Sequence, residues 1–248
     1  MTDVEPQGYY AASAGTAAER PALSGRHMAD ICVIGAGYTG LSAALHAAEM
    51  GARVIVLEAH QAGYGASGRN GGQIHSGLRK DQRELEAWLG TAHARDLWAL
   101  SEEAKALLRA LVTRHHIPCD LKSGLITAAH SARAARALAQ DTEHLVRNYG
   151  YRDLRTLDAA QTAEQTGTLL YQGGRFDHGG GHLHPLLYAR GLARAAQSAG
   201  AEIFERSAAQ TIDWLPGGVG IRCASGTVMA GRAILATDAF SGALAPAI

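Results

Sequence analysis

Apolar residues in this chain follow two different rhythms. Ile31 to Ile34 is an unbroken apolar run that stops at Gly35, which predicts a strand buried on both faces. From Tyr38 to Met50 the rhythm turns helical, with Leu41, Leu45 and Ala48 on one face and Gly51 as the stop. Arg53 to Leu57 is a second apolar strand, closed by Glu58. Strand, tight turn, helix and strand in that order form the right-handed crossover that joins parallel strands.

A glycine-rich loop, Gly63 to Gly77, comes next. A helical region then runs from about Asp81 to His116, with Trp88, Leu89, Leu97, Trp98, Leu107, Leu108 and Leu111 as its apolar face. Asp120 to Ala128 reads as a strand, Ser131 to Tyr149 as a helix stopped by Gly150, and Asp158 as the cap of a short helix. "DHGGGHLHP" reads as a loop, and Pro185 begins a helix that ends near Ala199 and Gly200. "AEIFERSA" is a strand, and Gln210 to Thr237 reads as short strands parted by Pro-Gly-Gly and Ser-Gly turns.

Composition narrows the classes. In 248 residues, Lys+Arg and Asp+Glu both number 23, so no basic stripe points to nucleic acid. Cys32, Cys119 and Cys223 are odd in number and scattered, which argues against a disulfide framework or zinc site and for small buried residues in a reducing compartment. His182 and His184 lack the neighbours a metal centre needs, so no metal is expected. Residues 1–27 read as an irregular leader with no signal-like apolar region, and no run of about eighteen apolar residues predicts a membrane span. A cytoplasmic protein is expected.

Gly35, Gly37 and Gly40 make GxGxxG directly after a strand and at the start of a helix, a loop that also holds Tyr38 and Thr39. Gly35 permits the tight turn, Gly37 lets the backbone approach a pyrophosphate, and Gly40 lets helix and strand pack closely. The helix N-terminus offers N–H groups and a positive dipole end to phosphates. Glu58, beside Ala59 at the end of the second strand, is placed to accept hydrogen bonds from ribose hydroxyls and to repel a 2′-phosphate. An ADP-containing dinucleotide is expected, and this device reads alike for a nicotinamide or a flavin cofactor. The segment that follows, "EAHQAGYGASGRNGGQ", spends its residues on Ser67, Gly68, Arg69, Asn70, Gly71 and Gly72, a loop suited to lining a large flat ligand.

Over Asp30 to Gln73 the chain resembles the D-amino-acid-oxidase-like superfamily of FAD-dependent oxidoreductases. "GYGASGRNGGQ" and "GGGHLHPLLYARGLARAAQSAGAEIFE" make it most similar to the gamma-glutamylputrescine oxidoreductase branch. The resemblance implies FAD as cofactor, bound also near Ala209, Ala236 and Thr237, the last two within "ILATDAF". Relatives often have valine at the position of Ala209 and commonly Asn at that of Asp238. It implies an α/β fold: a Rossmann-like FAD-binding domain with a parallel sheet and β-meander, from 28–80 and 184–248. The strand near Ile203 would extend its sheet, and 81–183 would form an incomplete α+β substrate domain. The implied reaction is oxidation of an amine, gamma-glutamylputrescine-like, by hydride transfer to flavin, with O2 reoxidising it to H2O2. No catalytic side chain is assigned, although His75 follows the flavin loop. Two alternatives stand beside this one: a nicotinamide-dependent dehydrogenase, and a nucleotide-binding fragment or subunit without catalysis of its own. Because the chain ends in "SGALAPAI" soon after "ILATDAF", the isolated polypeptide is expected to retain FAD weakly or not at all and to show no amine oxidation, and a partner chain carrying the missing half could restore both.

Overall fold

Strand β1 (Gly25–Ile34) is the axis of a six-stranded sheet. The structure, a computed structural model, describes residues 8–244. The first part of the leader and the end of the apolar tail, residues 1–7 and 245–248, lie outside the described residues. The chain divides into two units. One holds the residues up to Gly71, His115–Cys119 and the chain from His184 onward; the other holds Gly72–Arg114 and Asp120–Leu183.

In the first unit β1 pairs in parallel with β2 (Val54–Leu57), and β2 with β7 (Glu202–Phe204). Helix α2 (Tyr38–Glu49) makes the crossover from β1 to β2. On the other side β1 runs parallel to the whole of β10 (Gly226–Leu235), which turns back antiparallel onto β9 (Gly218–Arg222) and then β8 (Thr211–Leu215). The expected parallel sheet with a meander is therefore present. Cys32, Ile34, Ile55, Leu57, Phe204, Ile221 and Val228 share one buried cluster. The alternate residues Val33, Val54 and Val56 are equally buried, so both faces of these strands are covered. Leu41 and Leu45 of α2 and Leu192 of α7 (Pro185–Ser198) are buried where the two helices pack together.

Several local expectations are corrected here. Strand β1 starts at Gly25, six residues before Ile31, because main-chain pairing with β10 holds Arg26 to Met28 although Met28 is 62% exposed. The leader contains helix α1 (Tyr9–Ser13) and a buried Arg20.

The second unit is built on β6 (Gly174–His182). It pairs antiparallel with β4 (Lys122–Ala128) along one edge, and with β5 (Leu154–Leu157) and then β3 (Gln73–Ile74) along the other. "DHGGGH" is thus strand, not loop. Its glycines are required by proximity: a Cβ on Gly179 would lie 2.1 Å from the Tyr151 hydroxyl, and one on Gly181 2.4 Å from the Lys122 carbonyl oxygen. Pairing of β3 with β6 likewise draws Gly72 to Lys80, grouped with the nucleotide-binding part on sequence, into this unit. The long helical region is two helices, α3 (Gln82–Leu89) and α4 (Thr91–Arg114), parted by Gly90 at φ +81°. Trp98 and Leu111 are buried as expected, whereas Trp88 is 63% exposed beneath the Lys80 ammonium, and Leu89 and Leu107 are also exposed. Helices α5 (Ala132–Tyr149) and α6 (Ala159–Thr166) begin on the side-chain caps Ser131 and Asp158, the latter with Gln161 in a capping box.

Candidate dinucleotide site

The three motif glycines are fixed by what a side chain would strike. Gly35 has φ +105°, and a Cβ there would lie 2.4 Å from the Ala236 carbonyl oxygen. A Cβ on Gly40 would lie 1.9 Å from the Gly35 carbonyl oxygen, so α2 rests directly on the turn it leaves. A Cβ on Gly37 would lie 2.8 Å from the Ser67 hydroxyl. That hydroxyl accepts the Tyr38 N–H at 2.9 Å. The helix start is therefore partly spent on Ser67, where the sequence reading left all of it for phosphate. Leu41 N–H makes the first intrahelical bond, to Gly37, so the N–H groups of Thr39 and Gly40 lie ahead of the α2 ladder.

Glu58 stands where β2 ends, and its carboxylate binds the protein's own backbone. One oxygen accepts the Ala36 N–H at 2.8 Å and the other the His60 N–H at 2.9 Å. Each oxygen has a second lone pair for a ligand hydroxyl. The carboxylate thus ties the glycine turn to the loop that follows β2.

These residues surround one groove of about 270 Å³. Of the residues expected in the site, Gly35, Gly37, Glu58, Ala59, Ser67, Ala209, Ala236 and Thr237 line it. It lies at the carboxyl ends of β1 and β2, where open α/β sheets receive ligands. Gly40 and Tyr38 do not border it: Tyr38 donates its hydroxyl to the Pro185 carbonyl at 3.1 Å, and burial pushes that phenol up to about 12. Thr39 is exposed. Gly68 and Arg69 border a different cavity, of about 370 Å³, which does not reach the strand ends. Arg69 lies over the Tyr64 ring and donates to the Tyr64 carbonyl at 2.7 Å. Asn70 donates to Ala66 and Ser67 carbonyls within its own loop, Gly71 is exposed, and Gly72 belongs to the second unit, where its carbonyl accepts the Leu183 N–H.

Sequence reasoning missed His60, Tyr64 and Phe240 in the groove lining. The His60 and Tyr64 rings stack at 3.9 Å, a contact that spacing alone does not disclose. Asp238 sits at φ +50°, a left-handed position that Asp and Asn tolerate. His184 proves to be the N-cap of α7, accepting the Leu187 N–H at 3.2 Å, with its other ring nitrogen 3.0 Å from the Ser13 hydroxyl. His75 and His182 are exposed members of the second unit. Cys32 is fully buried, and burial raises its thiol to about 12, which keeps it protonated at neutral pH. No helix among the described residues is long and apolar enough to cross a membrane.

The geometry fits a dinucleotide: glycines seated against backbone, a helix start, a carboxylate at the second strand's end and a groove over both. The family pattern described as "DAO: FAD dependent oxidoreductase" matches residues 30–248. The chain belongs to this family, whose cofactor is FAD. It is 37% identical to the probable oxidoreductase OrdL of Haemophilus influenzae, over 98% of this chain and 56% of that protein. It is 39% identical to the gamma-glutamylputrescine oxidoreductase of Escherichia coli, over 94% of this chain and 54% of that one. The chain therefore spans a little over half the length of these relatives. Among solved structures it is similar in fold to glycine oxidase from Geobacillus kaustophilus, with a TM-score of 0.70 at 24% identity, covering 85% of this chain and 55% of that one.

Proposed function

We propose that the first unit holds the ADP half of FAD in the groove above β1 and β2, that the second unit is part of the substrate domain, and that the protein oxidises an amine. A gamma-glutamylputrescine-like compound is the first candidate. The chief support is that Gly35, Gly37, Glu58, Ser67, Ala236 and Thr237, far apart in sequence, border one groove at the strand ends. The likeness to gamma-glutamylputrescine oxidoreductase supports the choice of substrate.

In this reading Gly35 and Gly37 give the pyrophosphate access to the backbone, and the first turn of α2 supplies N–H donors and a favourable dipole. Glu58 receives ribose hydroxyls on the lone pairs that its two backbone bonds leave over. Small side chains at Ala209 and Ala236 leave room for a flat ring. When bound, FAD supplies the acceptor for a hydride from the carbon bearing the amine nitrogen, with O2 as final oxidant and H2O2 as its product. The protein's tasks are to bind, to orient and to keep water from the reacting carbon. We further propose that full activity needs the additional length these relatives have, in the same chain or from a partner.

The full-length protein should purify yellow and release FAD on denaturation. It should form peroxide as amine is consumed, at a rate that rises with pH until the substrate amine is deprotonated. Folded protein that yields NAD and no flavin would refute the cofactor assignment. A flavin that stays oxidised anaerobically with a panel of amines would refute the substrate class.

A further inference from the structure

The segment ahead of β1 carries a buried charge that joins it to the groove. Arg20 is 4% exposed and Glu205, just past β7, is 1% exposed; the guanidinium donates to Glu205 Oε1 at 2.9 Å. The same oxygen accepts the Ala62 N–H at 3.1 Å. Arg20 is itself aimed by a second bond, Nε to the Gln197 side chain at 2.9 Å. Around this pair the main chain is laced: Arg206 N–H to the His60 carbonyl at 2.8 Å, Ser207 N–H to the Glu58 carbonyl at 2.8 Å, and Glu205 N–H to the Pro21 carbonyl at 3.1 Å. The His60 N–H then reaches the Glu58 carboxylate at 2.9 Å and completes the path to the groove.

We infer that Arg20 is a positioning residue of the nucleotide site, acting through Glu205 and the His60–Ala62 turn to hold the Glu58 carboxylate. This rests on the groove being the cofactor site. A carboxylate this buried keeps its charge only beside a cation. Its second oxygen accepts no hydrogen bond among the described residues, and Arg206 Nη1 is 4.0 Å from it. Without Arg20 only the exposed Arg206 guanidinium, 4.0 Å away and short of a hydrogen bond, faces the charge, and the turn must open to admit water to it.

The test titrates the full-length protein with ADP and with FAD. The variants are Arg20→Met, the double variant Arg20→Met/Glu205→Gln, and Arg190→Ala, which loosens the same segment at its bond to the Gly15 carbonyl. Arg20→Met should raise the ADP Kd about tenfold or more. The double variant should bind within about threefold of wild type, because an uncharged amide oxygen keeps the bond from the Ala62 N–H. Arg190→Ala should bind as wild type does.

Unchanged affinity in Arg20→Met, or a loss that the double variant does not rescue, would overturn the inference. If Arg20→Met does not fold, a double variant that folds and binds near wild type supports it, and one that does not overturns it. If wild type binds neither nucleotide, the cofactor reading has failed. Amide exchange over residues 58–64 then decides this one: faster in Arg20→Met and restored in the double variant supports it, and equal rates overturn it.

Discussion

Glu58→Gln is the most informative single change in the groove. The side chain keeps its length, but two donors converge on it, Ala36 N–H at 2.8 Å and His60 N–H at 2.9 Å, each on its own oxygen. An amide has one acceptor oxygen. Whichever way it turns, one backbone N–H loses its acceptor and meets an NH2 group. A hydrogen bond to a charged group contributes about 1.5–3 kcal/mol, and because Glu58 is half-buried, water recovers part of one loss. We expect about 1–2 kcal/mol of lost stability, a Tm fall of about 2–8 °C for a chain of this size. FAD affinity should drop about tenfold, equivalent to about 1.4 kcal/mol, since the ribose acceptor is lost with the charge. Glu58→Ala removes the acceptors without adding a donor and leaves space for water, so it should be no more destabilising than Glu58→Gln. Thermal unfolding of the ligand-free protein and an FAD titration measure the two effects. A Glu58→Gln protein that melts within about 1 °C of wild type and binds FAD as tightly would refute the reasoning.

Three further outcomes are expected. Gly40→Ala should give no folded protein, because its Cβ would lie 1.9 Å from the Gly35 carbonyl oxygen; Gly51→Ala, at φ +87° with open space around it, should cost only about 1–2 kcal/mol, and circular dichroism melts compare the two. Gly37→Val should abolish FAD retention, since its Cβ would lie 2.8 Å from the Ser67 hydroxyl at the helix start; a yellow Gly37→Val protein contradicts this. Burial raises the Cys32 thiol from 9.0 to about 12, so its contribution is present in full below about pH 9 and is lost as pH rises toward 12. That contribution is on the order of 3–4 kcal/mol, and Cys32→Ala should show a flatter alkaline decline in urea unfolding.

Legibility in the sequence followed the range of the forces involved. The β1-α2-β2 crossover was plain because its apolar periods and glycine stops are local, and the helix starts near Asp81 and Ser131 and the cap Asp158 were plain for the same reason. What was hidden depended on distant partners. β6 runs through a glycine triplet with no apolar signal, and only its partners β3, β4 and β5 make it a strand. The first residues of β1 have an exposed face and owe their strand to β10, some two hundred residues away. Trp88 looked like core because helical spacing says which residues share a face, not whether anything covers it. In the site, the glycines and Glu58 were legible as a spaced motif, whereas the Arg20–Glu205 pair was not. Nothing local to either residue announces a partner at the other end of the unit.

The same distinction explains which positions of the site tolerate change. Ala236 meets Gly35 through its carbonyl oxygen, and its N–H donates to the Ile34 carbonyl at 2.8 Å. Its work is done by main chain that any small residue supplies. Ala209 borders the groove and packs at the edge of the core cluster, two demands that a small apolar residue meets. Asp238 sits at φ +50°, a backbone state that Asp and Asn both accept. Gly35 and Gly40 meet carbonyl oxygens of the main chain itself, which cannot give way to a side chain, and so the motif reduces to a few obligatory residues in an otherwise permissive loop.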